Sequence, residues 1–176
     1  SNVETSDNTE TIFYSPATVA GRYNVYRPIS GAGNVIFDSP SSTQGQYSLT
    51  STLAGVTGNL IIRANAALTG STAVNFPANI TVDNGGALHA NSSVSVWSGN
   101  ATISGNGQAF YGVTGAIGIE SGSTLSANIK MLDDSKIFIY ANSGSNTAST
   151  TTISSAITGD KIMYLQTATM NPVSLT

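Results

Sequence analysis

Residues 79–91 read NITVDNGGALHAN, and close copies of this stretch occur on both sides of it. The copy at 59–71 reads NLIIRANAALTGS, and the copy at 116–128 reads AIGIESGSTLSAN. All three share a short run of alternating apolar residues, a turn rich in Gly or Asn, and a Leu two residues before a small residue. A unit of this size is one turn of a coil, so the pattern predicts a fold built by stacking similar turns.

Seven apolar runs follow one another at an average spacing of about 21 residues, a period typical of single-coil solenoids. No segment of a dozen residues has the apolar spacing of a helix without Gly, Ser or Thr interrupting it. We therefore predict an all-β fold, a single-stranded parallel β-helix (β-solenoid) of about seven or eight coils with less regular terminal strands. An antiparallel β-sandwich is the alternative, because it uses the same short strands and Gly-rich turns. The runs begin at Val35, Leu60, Ile80, Val94, Ile117, Ile137 and Ile162.

Three regions are predicted along the chain. Residues 1–28 form an N-terminal lead with a cap or a donated strand, residues 29–165 the solenoid, and residues 166–176 a C-terminal extension. Residues 1–10 are polar and acidic, a composition typical of a flexible segment at a terminus.

The composition indicates a packed body with an uncharged polar surface. Charged residues make up 9% of the 176 residues and hydrophobic residues 40%, whereas soluble domains average roughly 25% charged residues. A net charge of −3 argues against nucleic acid as a partner, since phosphate binding needs clustered Lys and Arg. The absence of cysteine excludes disulfides, a thiolate nucleophile and a cysteine metal site.

No apolar run approaches the ~18–20 residues of a membrane span. The first residues lack the basic and apolar sections of a secretory signal, so an exported chain is expected to have lost its signal.

Two columns of equivalent positions are predicted along the coil. Asn34, Asn59 and Asn79 each stand just before a strand, where Asn either favours a turn or stacks as an amide ladder. The second column places Arg63 between two acids just outside the strands, and we interpret it as alternating surface charge, with a ligand groove as the alternative. Its members are Asp38, Arg63, Asp83, Trp97, Glu120 and Tyr140.

Short phrases in the chain resemble the autotransporter-associated β-strand repeats of secreted passenger regions. They are ISSAITG at 153–159, GGAL at 85–88 and GSTL at 122–125, and the resemblance covers roughly 29–160. It implies a right-handed β-helix that is secreted or exposed on a cell surface, in a bacterium, with a structural or adhesive role. Residues 160–165 depart from the family pattern.

Both ends of a solenoid are unpaired strand edges, which can pair with another chain. The N-terminal side offers TIFY and RYNVYR, and the C-terminal side offers KIMYL. We predict that the ends pair between subunits and build a homopolymer, as an extracellular fibre, matrix filament or layer. The residues expected to take part are Ile12, Phe13, Tyr14, Tyr23, Tyr26, Ile162, Tyr164 and Leu165.

Two other functions remain open. The first is an adhesin or carbohydrate-binding module that recognises surface glycans through Trp97, Phe110 and Tyr111. The second is a polysaccharide-cleaving β-helix, in which Asp83 and Glu120 would have to approach within about 10 Å.

The chain is predicted not to be an enzyme and to need neither a cofactor nor a metal. His89 is the only histidine, which excludes a histidine-cluster metal site. We expect His89 in a turn or on the surface.

Overall fold

A computed structural model of the chain describes residues 3–15, 22–40, 45–53, 55–70, 79–90, 96–97, 99–110, 113–120, 123–140, 150–167 and 173–175. These ranges contain strands and turns and no helix. The first eleven strands are β1 (Val3–Thr5), β2 (Glu10–Tyr14), β3 (Arg22–Val25), β4 (Ile29–Gly31), β5 (Asn34–Asp38), β6 (Gly45–Leu49), β7 (Gly55–Val56), β8 (Asn59–Ile62), β9 (Ala66–Gly70), β10 (Asn79–Val82) and β11 (Ala87–Ala90). The remaining strands are β12 (Val96–Trp97), β13 (Asn100–Ile103), β14 (Gln108–Phe110), β15 (Val113–Gly115), β16 (Ile117–Glu120), β17 (Thr124–Leu125), β18 (Asn128–Met131), β19 (Ser135–Tyr140), β20 (Thr151–Ile153), β21 (Ile157–Thr158), β22 (Met163–Thr167) and β23 (Val173–Leu175).

The strands stack into two long sheets of seven strands each. The first, which we call the Asn sheet, has the order β2-β5-β8-β10-β13-β18-β21. The second, which we call the Leu sheet, has the order β22-β19-β16-β11-β9-β6-β3. The remaining coil strands form two smaller sheets, β1-β4-β7 and β12-β17-β20-β23. In each turn, such a strand lies after the strand of the Leu sheet and before the strand of the Asn sheet. We call this place the third side.

One turn of the chain therefore crosses the third side, the Asn sheet and the Leu sheet in that order. We call β1, β2 and β3 the first coil, and β20, β21 and β22 the last coil. Every described pairing between coil strands is parallel, and only β14 and β15 pair antiparallel, as a hairpin inserted between β13 and β16. The predicted all-β parallel solenoid is confirmed, and the sandwich is not the fold.

The predicted number of coils is slightly too high. Each long sheet has seven strands, and its two outermost strands have a described neighbour on one side only. If the five strands with neighbours on both sides are counted, the solenoid has about five turns.

The strand register confirms the first internal repeat and corrects the second. Asn79 stands opposite Asn59, and Leu88 stands opposite Leu68. Ile117, however, stands opposite Leu88 and not in the column of Ile80. The copy at 116–128 therefore matched a strand of the Leu sheet to a strand of the Asn sheet, because both sheets alternate with the same period of two.

The core is the interior of the coil, filled by aliphatic columns from each side. Leu68, Leu88, Ile117 and Ile137 are fully buried in successive strands of the Leu sheet. Each buried aliphatic side chain contributes roughly 1.5–3 kcal/mol. Stacking of like residues on like residues therefore holds the turns together.

The predicted boundaries at 28/29 and 165/166 stay predictions. Within 1–28, the strands β1, β2 and β3 pair in parallel with β4, β5 and β6. Val3–Thr5 is thus a strand of the solenoid, although its composition is that of a flexible lead.

The two ends of the coil as a candidate functional site

The first coil ends in an open cavity of about 420 Å³. It exists because no described strand covers the outer edges of β1, β2 and β3. Side chains that would be core residues in an inner turn are therefore reached from outside. The cavity is lined by Val3, Phe13, Tyr14, Tyr23, Asn24, Val25, Tyr26, Arg27 and Tyr47.

Four aromatic rings form the floor of this cavity. Phe13 stacks on Phe37 with ring centroids 5.0 Å apart, and Tyr23 lies over Tyr47 at 5.9 Å. The Phe37 and Tyr47 rings join the two pairs at 5.0 Å. Such contacts add about 0.5–1.5 kcal/mol per pair beyond burial. The floor is consequently a continuous aromatic layer across the Asn sheet and the Leu sheet.

The hydroxyl of Tyr47 fixes this layer to the backbone. It lies within hydrogen-bond distance of the carbonyl oxygens of Phe13, at 3.0 Å, and of Asp38, and can donate its proton to either. Burial raises the pKa of the Tyr47 hydroxyl above its ordinary value, and the nearby Asp38 charge acts in the same direction. Tyr47 was not among the predicted assembly residues, although its place in GQYSL, opposite Tyr23, continues the aromatic alternation of RYNVYR.

The rim of the cavity is exposed and polar-aromatic. Tyr14 is 59% exposed and Tyr26 is 68% exposed. The Asn24 amide donates a hydrogen bond to the Tyr26 hydroxyl at 2.9 Å, which orients that ring beside the cavity.

The strand β1 is firmly attached to β4 and the residues that follow it, in the second coil. The Thr5 hydroxyl donates to the Ser30 carbonyl at 3.2 Å and accepts from the Gly33 N–H at 3.1 Å, and Thr5 is 5% exposed. The backbone of Gly31 passes so close to the Thr5 carbonyl that a side chain at Gly31 would collide with it, and its φ of +119° suits glycine.

The opposite end of the coil presents β21, β22 and β23, each with a described neighbour on one side only. Met163 and Leu165 are partly buried against the core, whereas Ile162 is 56% exposed and Tyr164 is 47% exposed. The Asn sheet has two inward columns. One ends at Ile157, and the one that begins with Phe13 reaches Met131, against which Gly159 lies directly after β21. This end face therefore has no side chain where the first coil carries Phe13.

The structure divides the predicted assembly residues between the two end faces. One group belongs to or directly follows strands of the first coil, and the other belongs to or directly precedes β22 of the last coil. The first group is Ile12, Phe13, Tyr14, Tyr23 and Tyr26, and the second is Ile162, Tyr164 and Leu165. The role of these residues in assembly stays a prediction.

The structure assigns two of the three residues of the predicted ligand face to strands, and the face itself stays a prediction. Trp97 lies in β12 on the third side, and Phe110 lies in the hairpin strand β14. Tyr111 lies outside the described residues.

The six-residue column of outward positions is only partly correct. Asp38, Arg63 and Asp83 do follow one another in the Asn sheet, and Arg63 Nη1 lies 3.0 Å from Asp38 Oδ2. The column continues to Ser104, whose N–H bonds to the Val82 carbonyl, and not to Trp97. Glu120 stands opposite Tyr140 in the Leu sheet, so the acid pair considered for polysaccharide cleavage is split between two sheets.

His89 is a buried residue and not the turn or surface histidine that we expected. It is 0% exposed in β11, on the outer side of the Leu sheet, because its neighbour Leu88 faces the core. The hairpin contacts β9 through β14 and β19 through β15, and it therefore lies across the outer side of β11 and β16. A Cβ at Gly118 would lie 2.5 Å from His89 Nδ1, so the imidazole fits only because glycine faces it.

Neither a metal site nor a membrane-spanning helix is found in the described part of the chain. Within the described ranges, no group of three or more His, Cys, Asp or Glu side chains is placed to hold a metal ion. None of the described segments forms an apolar helix of membrane-spanning length.

Comparison of the chain with protein-family models, with curated proteins and with solved structures gives no match. The functional conclusion therefore depends on the geometry of the coil ends.

Proposed function

We propose that this chain is a structural protein that assembles head to tail, through its two coil ends, into an extracellular filament or surface layer. The observation that carries the proposal is the match between the two ends. Among the described residues, the Asn sheet and the Leu sheet each begin with an open edge in the first coil and finish with an open edge in the last coil. A second copy placed on the last coil would continue both sheets in the same parallel sense.

The register of such a contact follows from the columns within one chain. Tyr23, Tyr47, Leu68 and the residues after them form one inward column that ends at Leu165. In a continued column, Tyr23 of the next copy would lie on Leu165. On the Asn sheet, Phe13 of the next copy would lie on Gly159, a large side chain against an empty position, which is the pairing that close packing favours.

A head-to-tail contact gives an open filament unless its rotation closes a ring. Because this contact would continue both sheets along the coil axis, each added copy moves further along that axis and the assembly stays open. It would cover the exposed cavity of the first coil and the partly buried Met163 and Leu165 of the last coil. Both unpaired edges would gain ladder hydrogen bonds. These gains support polymer formation over a free rod.

An extracellular location in a bacterium is part of the same proposal. It is supported by the resemblance to passenger-type repeats, by the cysteine-free composition and by a chain in which only 9% of residues are charged.

The test places a charge on the last coil's inner face. Leu165→Lys should prevent filament formation, because the ammonium group would have to be buried at the contact without a partner. The matched control is Gln166→Lys, which adds the same charge at the neighbouring, exposed position of β22.

Negative-stain electron microscopy over a concentration series measures the outcome, with circular dichroism to verify that both variants fold. We expect filaments from the parent chain and from Gln166→Lys, and isolated rods from Leu165→Lys. Filaments of equal length and number from Leu165→Lys would show that the ends do not meet as proposed.

Carbohydrate binding is the second candidate, and the exposed tyrosines at the cavity rim favour it. Tyr26 presents an oriented ring next to the amide of Asn24, and such aromatic and amide groups suit a sugar. On a glycan array, Tyr26→Ala should then lower binding roughly tenfold, the effect of losing about 1–1.5 kcal/mol of stacking. Tyr164→Ala, an exposed tyrosine at the opposite end, should leave binding unchanged. Equal binding by both variants would reject this site.

A further inference from the structure

The third side of the coil ends differently from the two long sheets. The last-coil strands β21 and β22 have open outer edges, but the outer edge of β20 is already occupied by β23. The pairs are Thr151 with Val173, Thr152 with Ser174, and Ile153 with Leu175. At the other end, no described strand pairs with the outer edge of any of the three strands of the first coil.

Head-to-tail stacking therefore meets a conflict on the third side. If β2 and β3 of a second copy pair with β21 and β22, then β1 of that copy falls on the outer edge of β20. This position is the one that β23 holds. The two strands cannot both pair with the same edge of β20, so one of them must leave.

We infer that β23 is a displaceable strand that blocks the third side until β1 of a second copy replaces it. The inference rests on the proposed head-to-tail assembly and names how that contact is regulated. The entering strand and the leaving strand both have three residues. The exchange therefore conserves the number of ladder positions on β20, and the new pairing on the two long sheets drives it.

The contacts of β1 decide which strand leaves. Within its own chain β1 is held to β4 and the residues beside it, in the second coil, by the buried Thr5, by the Val3 N–H to the Pro28 carbonyl at 3.0 Å and by the Ala32 N–H to the Thr5 carbonyl at 3.1 Å. A second copy thus brings β1 as a fixed part of a three-stranded end. The described pairing of β23 is with β20 alone.

A reversible disulfide tests this exchange in the full chain, which has no native cysteine. Thr152→Cys with Ser174→Cys joins β20 to β23 at directly opposite positions. Neighbouring strands lie ~4.8 Å apart, within the separation that a disulfide spans. The matched control is Thr152→Cys with Thr124→Cys, which joins β20 to β17 at the same register position. That pairing persists in the filament.

Filament growth is followed by light scattering and electron microscopy, with and without dithiothreitol, and intact mass verifies each crosslink. We expect the oxidised β20–β23 crosslink to stop filament growth and reductant to restore it, whereas the control should grow in both states. Equal growth of the oxidised β20–β23 variant would overturn the strand exchange and leave head-to-tail assembly standing. If neither the parent chain nor either reduced variant forms filaments, the proposed assembly is overturned, and the strand exchange with it.

Discussion

At the scale of single residues, His89 is the group whose chemistry the fold changes most. Burial lowers the pKa of its imidazole from 6.5 to about 3, although contact with the Gly115 backbone acts in the opposite direction. Gly115 ends the hairpin strand β15. The neutral imidazole is therefore one of the contacts between the inserted hairpin and the Leu sheet.

This pKa makes stability depend on pH. Between pH 6.5 and about 3 the unfolded chain binds a proton at His89 and the folded chain does not. The free energy of unfolding should consequently fall as the pH falls through this window, by about 2–3 kcal/mol at pH 4.5 from His89 alone. Burial raises the pKa of the Glu120 carboxyl, so that group acts in the opposite direction.

Comparison with His89→Gln isolates the histidine, because glutamine does not titrate and all carboxyl groups are kept. Urea unfolding at pH 7 and pH 4.5 should show the parent chain losing more stability than the variant on acidification. The same loss in both proteins would mean that His89 is protonated in the fold.

At the scale of elements, the Asn sheet carries a ladder of side-chain amides along its edge. Its five inner strands from β5 to β18 each begin with Asn, at Asn34, Asn59, Asn79, Asn100 and Asn128. Asn59 Nδ2 lies 3.3 Å from Asn34 Oδ1, and Asn128 Nδ2 lies 3.3 Å from Asn100 Oδ1. The structure thus shows the amide hydrogen bonds of the ladder interpretation between Asn34 and Asn59 and between Asn100 and Asn128, and it extends the Asn column by two positions.

The ladder predicts a difference between two substitutions at one position. Asn100→Ala removes the acceptor for the Asn128 amide and should lower the free energy of unfolding by about 0.5–1 kcal/mol. Asn100→Asp keeps an acceptor oxygen there and should lose less, since its neighbours Asn79 and Asn128 are uncharged. Urea denaturation measures both, and an equal loss would indicate that Asn100 serves only the turn.

The surface ion pair between Arg63 and Asp38 contributes little to the stability of the Asn sheet. Arg63 and Asp38 join two strands of the Asn sheet, but their side chains are 42% and 21% exposed. Exposed pairs of this kind contribute about 0–1 kcal/mol. The interpretation as surface charge alternation therefore fits Asp38 and Arg63 better than a ligand groove does.

At the scale of the whole molecule, each turn is stabilised by the turns next to it. An inner turn has such neighbours on both sides, whereas the strands of the first coil, and β21 and β22 of the last coil, have a described neighbour on one side only. The consequences are visible at the first coil, where an aromatic floor is open to solvent through a cavity. Apolar surface that an inner turn would bury is the physical driving force of the proposed assembly.

The sequence was sufficient to predict which segments lie at the two ends of the coil. TIFY, RYNVYR and KIMYL are the apolar, weakly charged runs nearest the two termini, and the structure places them at opposite ends of the long sheets. The missing side chain at Gly159 and the pairing of β23 with the outer edge of β20 could not be predicted from the sequence. Both depend on which strand each segment pairs with, and the local pattern does not contain that information.

The sequence by itself determined that the fold is an all-β coil of parallel turns. Equivalent residues recur from turn to turn, as at Asn59 and Asn79 or at Leu68 and Leu88, and only stacking of like turns makes that recurrence useful.

Only the tertiary structure decided which side of the coil each apolar run joins. Alternation with a period of two is the same on every side, and the hairpin inserted before β16 lengthens one turn, so sequence spacing alone misplaced Ile117. The burial of His89 was decided in the same way. Its environment comes from the hairpin and from Gly118, which reach His89 only once the chain has coiled.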